Sequence, residues 1–124
     1  MRFRLNNSIC THLWHSAVIA VFLSAAPVHA QDLYQAQISR YDWPDRSSAD
    51  SMLFIPQLKR AVSHLLDSEN STLIVRFPGG DAGNDWAIEL QNNLISLGIE
   101  SDRIVLQPGS GIEETLLVIV SAPR

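Results

Sequence analysis

The run Ser71-Thr72-Leu73-Ile74-Val75-Arg76-Phe77 constrains the fold most strongly. It is apolar and β-branched almost throughout, and Pro78 and two glycines end it. Such a run reads as a buried central strand. Amphipathic helical patterns lie on both sides of it. Upstream, Phe54, Leu58, Ala61, Val62 and Leu65 recur at the spacing of one helical face. Pro56 is expected in the first turn of that helix, where a missing N–H does little harm, so the start lies between Asp50 and Ile55. Asp67-Ser68-Glu69-Asn70 ends it. Downstream, Ala87, Leu90, Leu94 and Leu97 form a second stripe. Gly98 stands where a left-handed cap is needed, with Ile99 placed to fold back on the last turn.

Two further strands follow. Residues 103–107 (RIVLQ) and 115–122 (TLLVIVSA) flank the turn PGSG, and this spacing predicts a hairpin. Part of DLYQAQISRYDW (32–43) reads as a first strand, and WPDRSSAD (43–50) as a polar turn region. The order is β-α-β-α-β-β. The predicted class is α+β, an α/β two-layer sandwich in which two helices on one face of a mixed sheet bury both apolar sets.

The first thirty residues stand apart from this pattern. Arg2 and Arg4 precede the apolar run 16–26, and Val28-His29-Ala30 presents small residues at the positions a signal peptidase reads. That is the order of a secretory leader. The run is short for a bilayer span, which needs roughly 20 residues. The expected product begins at Gln31 and is periplasmic, with no membrane span. The expected layout is a leader over 1–30, a first strand and polar linker over 31–49, and a domain over 50–124. A retained anchor is the alternative.

Removing the leader also removes Cys10, His12, His15 and His29. Residues 31–124 then hold no cysteine and one histidine, His64. Disulfides and zinc–thiolate chemistry are excluded, and a histidine-rich metal site is poorly supplied. The formal charge of the whole chain is −4, and losing Arg2 and Arg4 makes it more acidic. Nucleic acid is therefore a poor partner.

The stretch Phe77-Pro78-Gly79-Gly80-Asp81-Ala82-Gly83-Asn84-Asp85 joins the central strand to the second helix. It matches neither the P-loop nor the dinucleotide spacing, and its carboxylates disfavour phosphate. Asn84 is the expected cap of the helix, with Asp85 complementing the helix dipole. Two carboxylates beside open backbone donors suit a zwitterion: an ammonium at Asp81, a carboxylate at the N–H groups of Asn84 and Asp85. Trp86 offers either a stacking surface for a sugar or a core residue. The candidate ligand residues are Asp81, Asn84, Asp85 and Trp86. No cofactor, metal or catalytic group is expected. His64 reads as a surface residue, Asp42 and Asp45 as solvated, and Glu113-Glu114 as hairpin charge. Ser110 lies in Gly-Ser-Gly and not in a nucleophile elbow.

The stretch NLISLGIESDRIVLQPGSG (93–111), with IPQLKRAVSHLL and TLIVRF upstream, resembles the C-terminal, peptidoglycan-associating domain of the OmpA family over roughly residues 50–120. The shared features are a helix ending in Gly-Ile, a short polar link, a basic residue, a strand and a glycine-rich turn. The resemblance implies a non-catalytic module that holds the diaminopimelate of a stem peptide between a loop Asp and a helix Arg. Asp81 is the nearest counterpart of the Asp. Trp86-Ala87 stands where the family has Arg-Ala, the loop is shorter, and the basic insertion before the last strand is absent. Half of the clamp is thus missing, and a degenerate, non-binding or retargeted member fits the pattern as well as a working one. The implied partners are peptidoglycan or, alternatively, an envelope protein in a secretion or conjugation machine.

Overall fold

The computed structural model describes residues 31–123. The leader assigned to residues 1–30 lies outside them. Four strands, β1 (Asp32–Ser39), β2 (Thr72–Phe77), β3 (Ile104–Pro108) and β4 (Thr115–Ser121), and three helices, α1 (Ala49–Met52), α2 (Pro56–Asp67) and α3 (Asp81–Ser96), follow in the order β-α-β-α-β-β, with α1 a short extra turn before α2. The class is α+β. One mixed sheet has the order β1-β4-β2-β3 with helices packed on it.

The expected hairpin of the last two strands does not form. β4 runs between β1 and β2, antiparallel to both, and β3 pairs parallel with β2. Leu73, Val75 and Phe77 face the helices, and only an inner position beside β2 lets the uniformly apolar β4 cover both neighbours. Six residues separate β3 from β4, and they carry the chain over the end of β2 instead of turning it back. The Gly109 and Ser110 N–H groups both donate to the Phe77 carbonyl, at 2.9 and 3.1 Å.

β2 is central but buried on one face only. Leu73, Val75 and Phe77 point into the core, while Arg76 is exposed. The core is completed by Ile38 from β1, by Leu116, Val118 and Val120 from β4, by Leu58, Ala61, Val62 and Leu65 from α2, and by Trp86, Ala87, Leu90 and Leu94 from α3. α2 lies over β1 and β4, and α3 over β2 and β3.

Pro56 occupies the first turn of α2, as its chemistry demands. Phe54 was expected on the buried face and is instead 86% exposed. The chain turns between α1 and α2, so helical spacing does not extend through residue 54, and Met52 and Ile55 enter the core in its place. Ser48 and Ser51 form a reciprocal capping box at the start of α1, with Ser51 N–H to Ser48 Oγ at 3.2 Å and Ser48 N–H to Ser51 Oγ at 2.7 Å.

Gly98 caps α3 as expected, with φ +97°. The Ile99 N–H donates to the Leu94 carbonyl at 3.1 Å and the Gly98 N–H to the Ile95 carbonyl at 2.9 Å, the paired bonds of a Schellman motif. The Arg103 guanidinium closes the other helix. Its Nε donates to the Ser71 carbonyl at 3.0 Å and its Nη2 to the carbonyls of Ser68, at 3.0 Å, and Leu65. The basic residue of the polar link is therefore a cap for the last turn of α2.

Candidate functional site

The link from β2 to α3 is tighter than the sequence pattern suggests. α3 begins at Asp81, with Gly80 as its N-cap at φ +94°, and no side chain caps it. Asn84 is not the cap: its N–H already donates to the Gly80 carbonyl at 3.2 Å as the first rung of the helix. The reason is Gly80. Its left-handed backbone redirects the chain before any Asn side chain is needed. Gly83 has a different task. A Cβ there would lie 1.8 Å from the Pro78 carbonyl oxygen, so its missing side chain lets α3 sit against that carbonyl.

Beside this helix start is an open pocket of about 140 Å³, lined by Arg40, Pro78, Gly79, Ala82, Gly83, Trp86 and Glu114. A second shallow depression of about 190 Å³ shares Pro78 and Gly79 and continues along the β3–β4 turn through Gly109, Gly111 and Ile112. Of the four candidate ligand residues, only Trp86 lines the first pocket. Asp81, Asn84 and Asp85 are exposed on the first turns of α3 and line neither depression.

Trp86 is 3% exposed and belongs to the core. It is nonetheless the organising residue of the pocket. The Arg40 guanidinium carbon lies 4.8 Å from its ring centroid, within cation–π range. Trp43 meets it edge-on, with centroids 5.4 Å apart at 87°. Trp43 is held by its own Nε1–H, which donates to Glu89 Oε1 at 3.2 Å, and Ser47 Oγ donates to the same oxygen. The Trp86 indole Nε1 is buried and has no acceptor among the described residues. A donor left so costs the fold about 1–3 kcal/mol.

Arg40 and Glu114 come from distant parts of the chain. The β1–β4 register places Ser39 opposite Thr115, and the next step brings the Arg40 N–H to the Glu114 carbonyl at 2.8 Å. Glu114 adopts φ +50° at this point. Neither residue belongs to the glycine stretch, and only the pairing of the first strand with the last brings them there. The arrangement combines a guanidinium over an aromatic face, uncapped first-turn N–H groups of a helix, a buried indole N–H and a carboxylate. It can receive a carboxylate on the cationic side and an ammonium at the acidic residue.

The remaining candidates have structural roles. His64 is exposed and stacks on Tyr34 of β1, with centroids 5.0 Å apart. Ser110 is buried, and its hydroxyl donates to the Ile112 carbonyl at 2.9 Å. Asp42 lines a separate depression with Pro44 and Phe54, without Asp45. Among the described residues, no three His, Cys, Asp or Glu side chains come together as a metal site, and no helix is long and apolar enough to cross a membrane.

Comparison of the chain with protein-family models, with curated proteins and with solved structures gave no match.

Proposed function

We propose that the protein is a small exported, non-catalytic binding module of the cell envelope that takes a zwitterionic peptide group, such as the diaminopimelate of a peptidoglycan stem peptide, at the N-terminal end of α3. One observation carries the reading: Arg40 lies over Trp86 at 4.8 Å, beside the uncapped start of the helix. In the OmpA family a helix Arg serves this purpose. Here Trp86 occupies that position, and the guanidinium arrives from the end of β1 and rests on the indole. Arg40 and the free N–H groups of the first helical turn receive the ligand carboxylate. Glu114 in the pocket and Asp81, next to pocket-lining Ala82, supply carboxylates for the ammonium.

The test is co-sedimentation of the protein, purified from cells expressing the full chain, with isolated peptidoglycan sacculi. Free diaminopimelate is the competitor, and Arg40→Ala, Asp81→Ala and Trp86→Phe are compared. Binding that diaminopimelate displaces and Arg40→Ala abolishes supports the site. Trp86→Phe keeps an aromatic face but a smaller one under Arg40, so it weakens binding without unfolding the domain. A folded wild-type protein that leaves the sacculi in the supernatant refutes the reading.

The second reading, a structural or accessory component of an envelope machine acting through protein contacts, is favoured by a different observation. The outer edge of β1 is eight residues long and has no strand partner among the described residues.

A further inference from the structure

We infer that two copies of this chain pair through the outer edges of their β1 strands, antiparallel about a two-fold axis at Ala36. The inference is independent of the wall-binding proposal.

The two edges of the sheet differ. β3 is five residues long and ends in Pro108, both features that blunt an edge. β1 is eight residues long, Asp-Leu-Tyr-Gln-Ala-Gln-Ile-Ser, with no Lys, Arg, Pro or Gly. Its one charge, Asp32, is at the end, and its one irregularity in register lies between Asp32 and Tyr34. Residues 34–39 present a regular strand with none of the usual deterrents to pairing.

The backbone direction follows from the register. In an antiparallel strand, alternate residues turn their N–H and C=O groups to alternate sides. The Arg40 N–H donates to Glu114 on the β4 side, and Ile38 and Ala36 follow in the same register. Gln35, Gln37 and Ser39 therefore turn their backbone groups outward, where β1 has no strand neighbour among the described residues.

A second copy fits this edge because the strand is nearly palindromic in chemistry about Ala36. Antiparallel pairing on that axis sets Gln35 opposite Gln37 of the other copy. Both residues point outward, so they exchange both backbone bonds of a hydrogen-bonded pair. Their side chains, exposed on the helix-free face, stand side by side as amides. Ala36 faces itself at the close, non-hydrogen-bonded position, where a small side chain is needed. On the helix face Tyr34 comes opposite Ile38, whose side chain its own core already covers, so the pairing there is of backbone only. Residues 34–39 carry no charge, so no like charges oppose each other across the paired segment. The product is a continuous sheet of both copies with the helices on one side, an isologous closed interface.

Sedimentation velocity over a concentration series tests this. The protein from cells expressing the full chain is compared with Gln35→Lys/Gln37→Lys, Gln35→Glu/Gln37→Lys and Gln35→Pro. The wild type is expected to sediment as a dimer. The double-lysine variant sets lysine opposite lysine twice and is expected to weaken self-association by more than about tenfold. The glutamate–lysine variant sets opposite charges together in this register and restores the dimer; a slipped register centred on residue 35 would instead set the introduced carboxylate against its own counterpart. Gln35→Pro removes only an outward N–H and yields a folded monomer. Circular dichroism checks each fold, and the glutamate–lysine and proline variants decide the matter if the double-lysine chain does not fold. A wild type still monomeric at roughly 1 mM has a Kd too weak to count and overturns the inference. So does a dimer that both lysine-bearing variants leave unchanged or weaken equally.

Discussion

Gly83→Ala is the substitution in which local propensity and packing disagree most sharply. Alanine is favoured over glycine inside a helix by about 1 kcal/mol, so a reading of α3 alone predicts a gain. The structure predicts a loss. The new Cβ would lie 1.8 Å from the Pro78 carbonyl oxygen and 2.8 Å from its carbonyl carbon. A carbon and an oxygen in close contact stand about 3.3 Å apart, so helix and loop must separate by on the order of 1.5 Å. Both contact atoms are backbone, and no side chain can rotate away. Gly83 itself is buried, and Trp86 next to it is fixed in the core. Overpacking costs about 1–3 kcal/mol, and forced backbone movement sits at the upper end of that range. Setting the propensity gain against it leaves a net loss of about 2 kcal/mol. With a urea slope of about 1–2 kcal/mol per molar for a domain this small, the midpoint falls by roughly 1–2 M. Gly79→Ala is the control, since a Cβ there meets nothing within 4 Å, and its midpoint stays within the effect of about 0.5 kcal/mol usual for surface changes. Urea unfolding followed by circular dichroism measures both. A Gly83→Ala midpoint at or above wild type would refute the close approach of α3 to Pro78.

Leu58→Ala and Phe54→Ala separate the two residues that helical spacing groups together: the first, at a fully buried position, costs about 3 kcal/mol, and the second less than about 0.5 kcal/mol, by the same unfolding assay. Arg103→Met strips three carbonyls of their charged donor and lowers stability by about 2 kcal/mol; hydrogen exchange should quicken first in the last turn of α2. Trp43→Phe keeps a ring against Trp86 but loses the bond to Glu89, a loss of about 1 kcal/mol in thermal unfolding.

The β-α-β-α-β-β order and the α+β class were legible because the apolar periods are clean: period two and continuous runs for strands, three-to-four spacing for Leu58, Ala61, Val62 and Leu65 and for Ala87, Leu90 and Leu94. Gly98 and Ile99 announced the end of α3 by chemistry that only a left-handed cap explains. Strand order was not legible in the same way. A short turn between two apolar runs signals a hairpin, yet the preference of β4 for two strand neighbours decided its place, and that preference is a property of the whole sheet. The error at Asn84 arose because Gly80 can start a helix by its backbone alone and leaves no side-chain mark. The pocket was half legible. The glycine stretch and Trp86 pointed to it, while Arg40 and Glu114 are far apart in sequence and meet only through the β1–β4 pairing.

The place of β4 also governs how the chain can acquire its structure. β4 follows the other described strands in sequence yet lies between β1 and β2. Until residues 115–121 are available, β1 has no partner and β2 has only β3 at its side. Any shorter N-terminal fragment lacks the centre of its own sheet, so the domain cannot fold progressively from its beginning. Closure waits for a contact between distant ends of the sequence, the kind of ordering that slows folding. Strand order thus makes completion of the sheet depend on the meeting of residues 32–39 with residues 115–121.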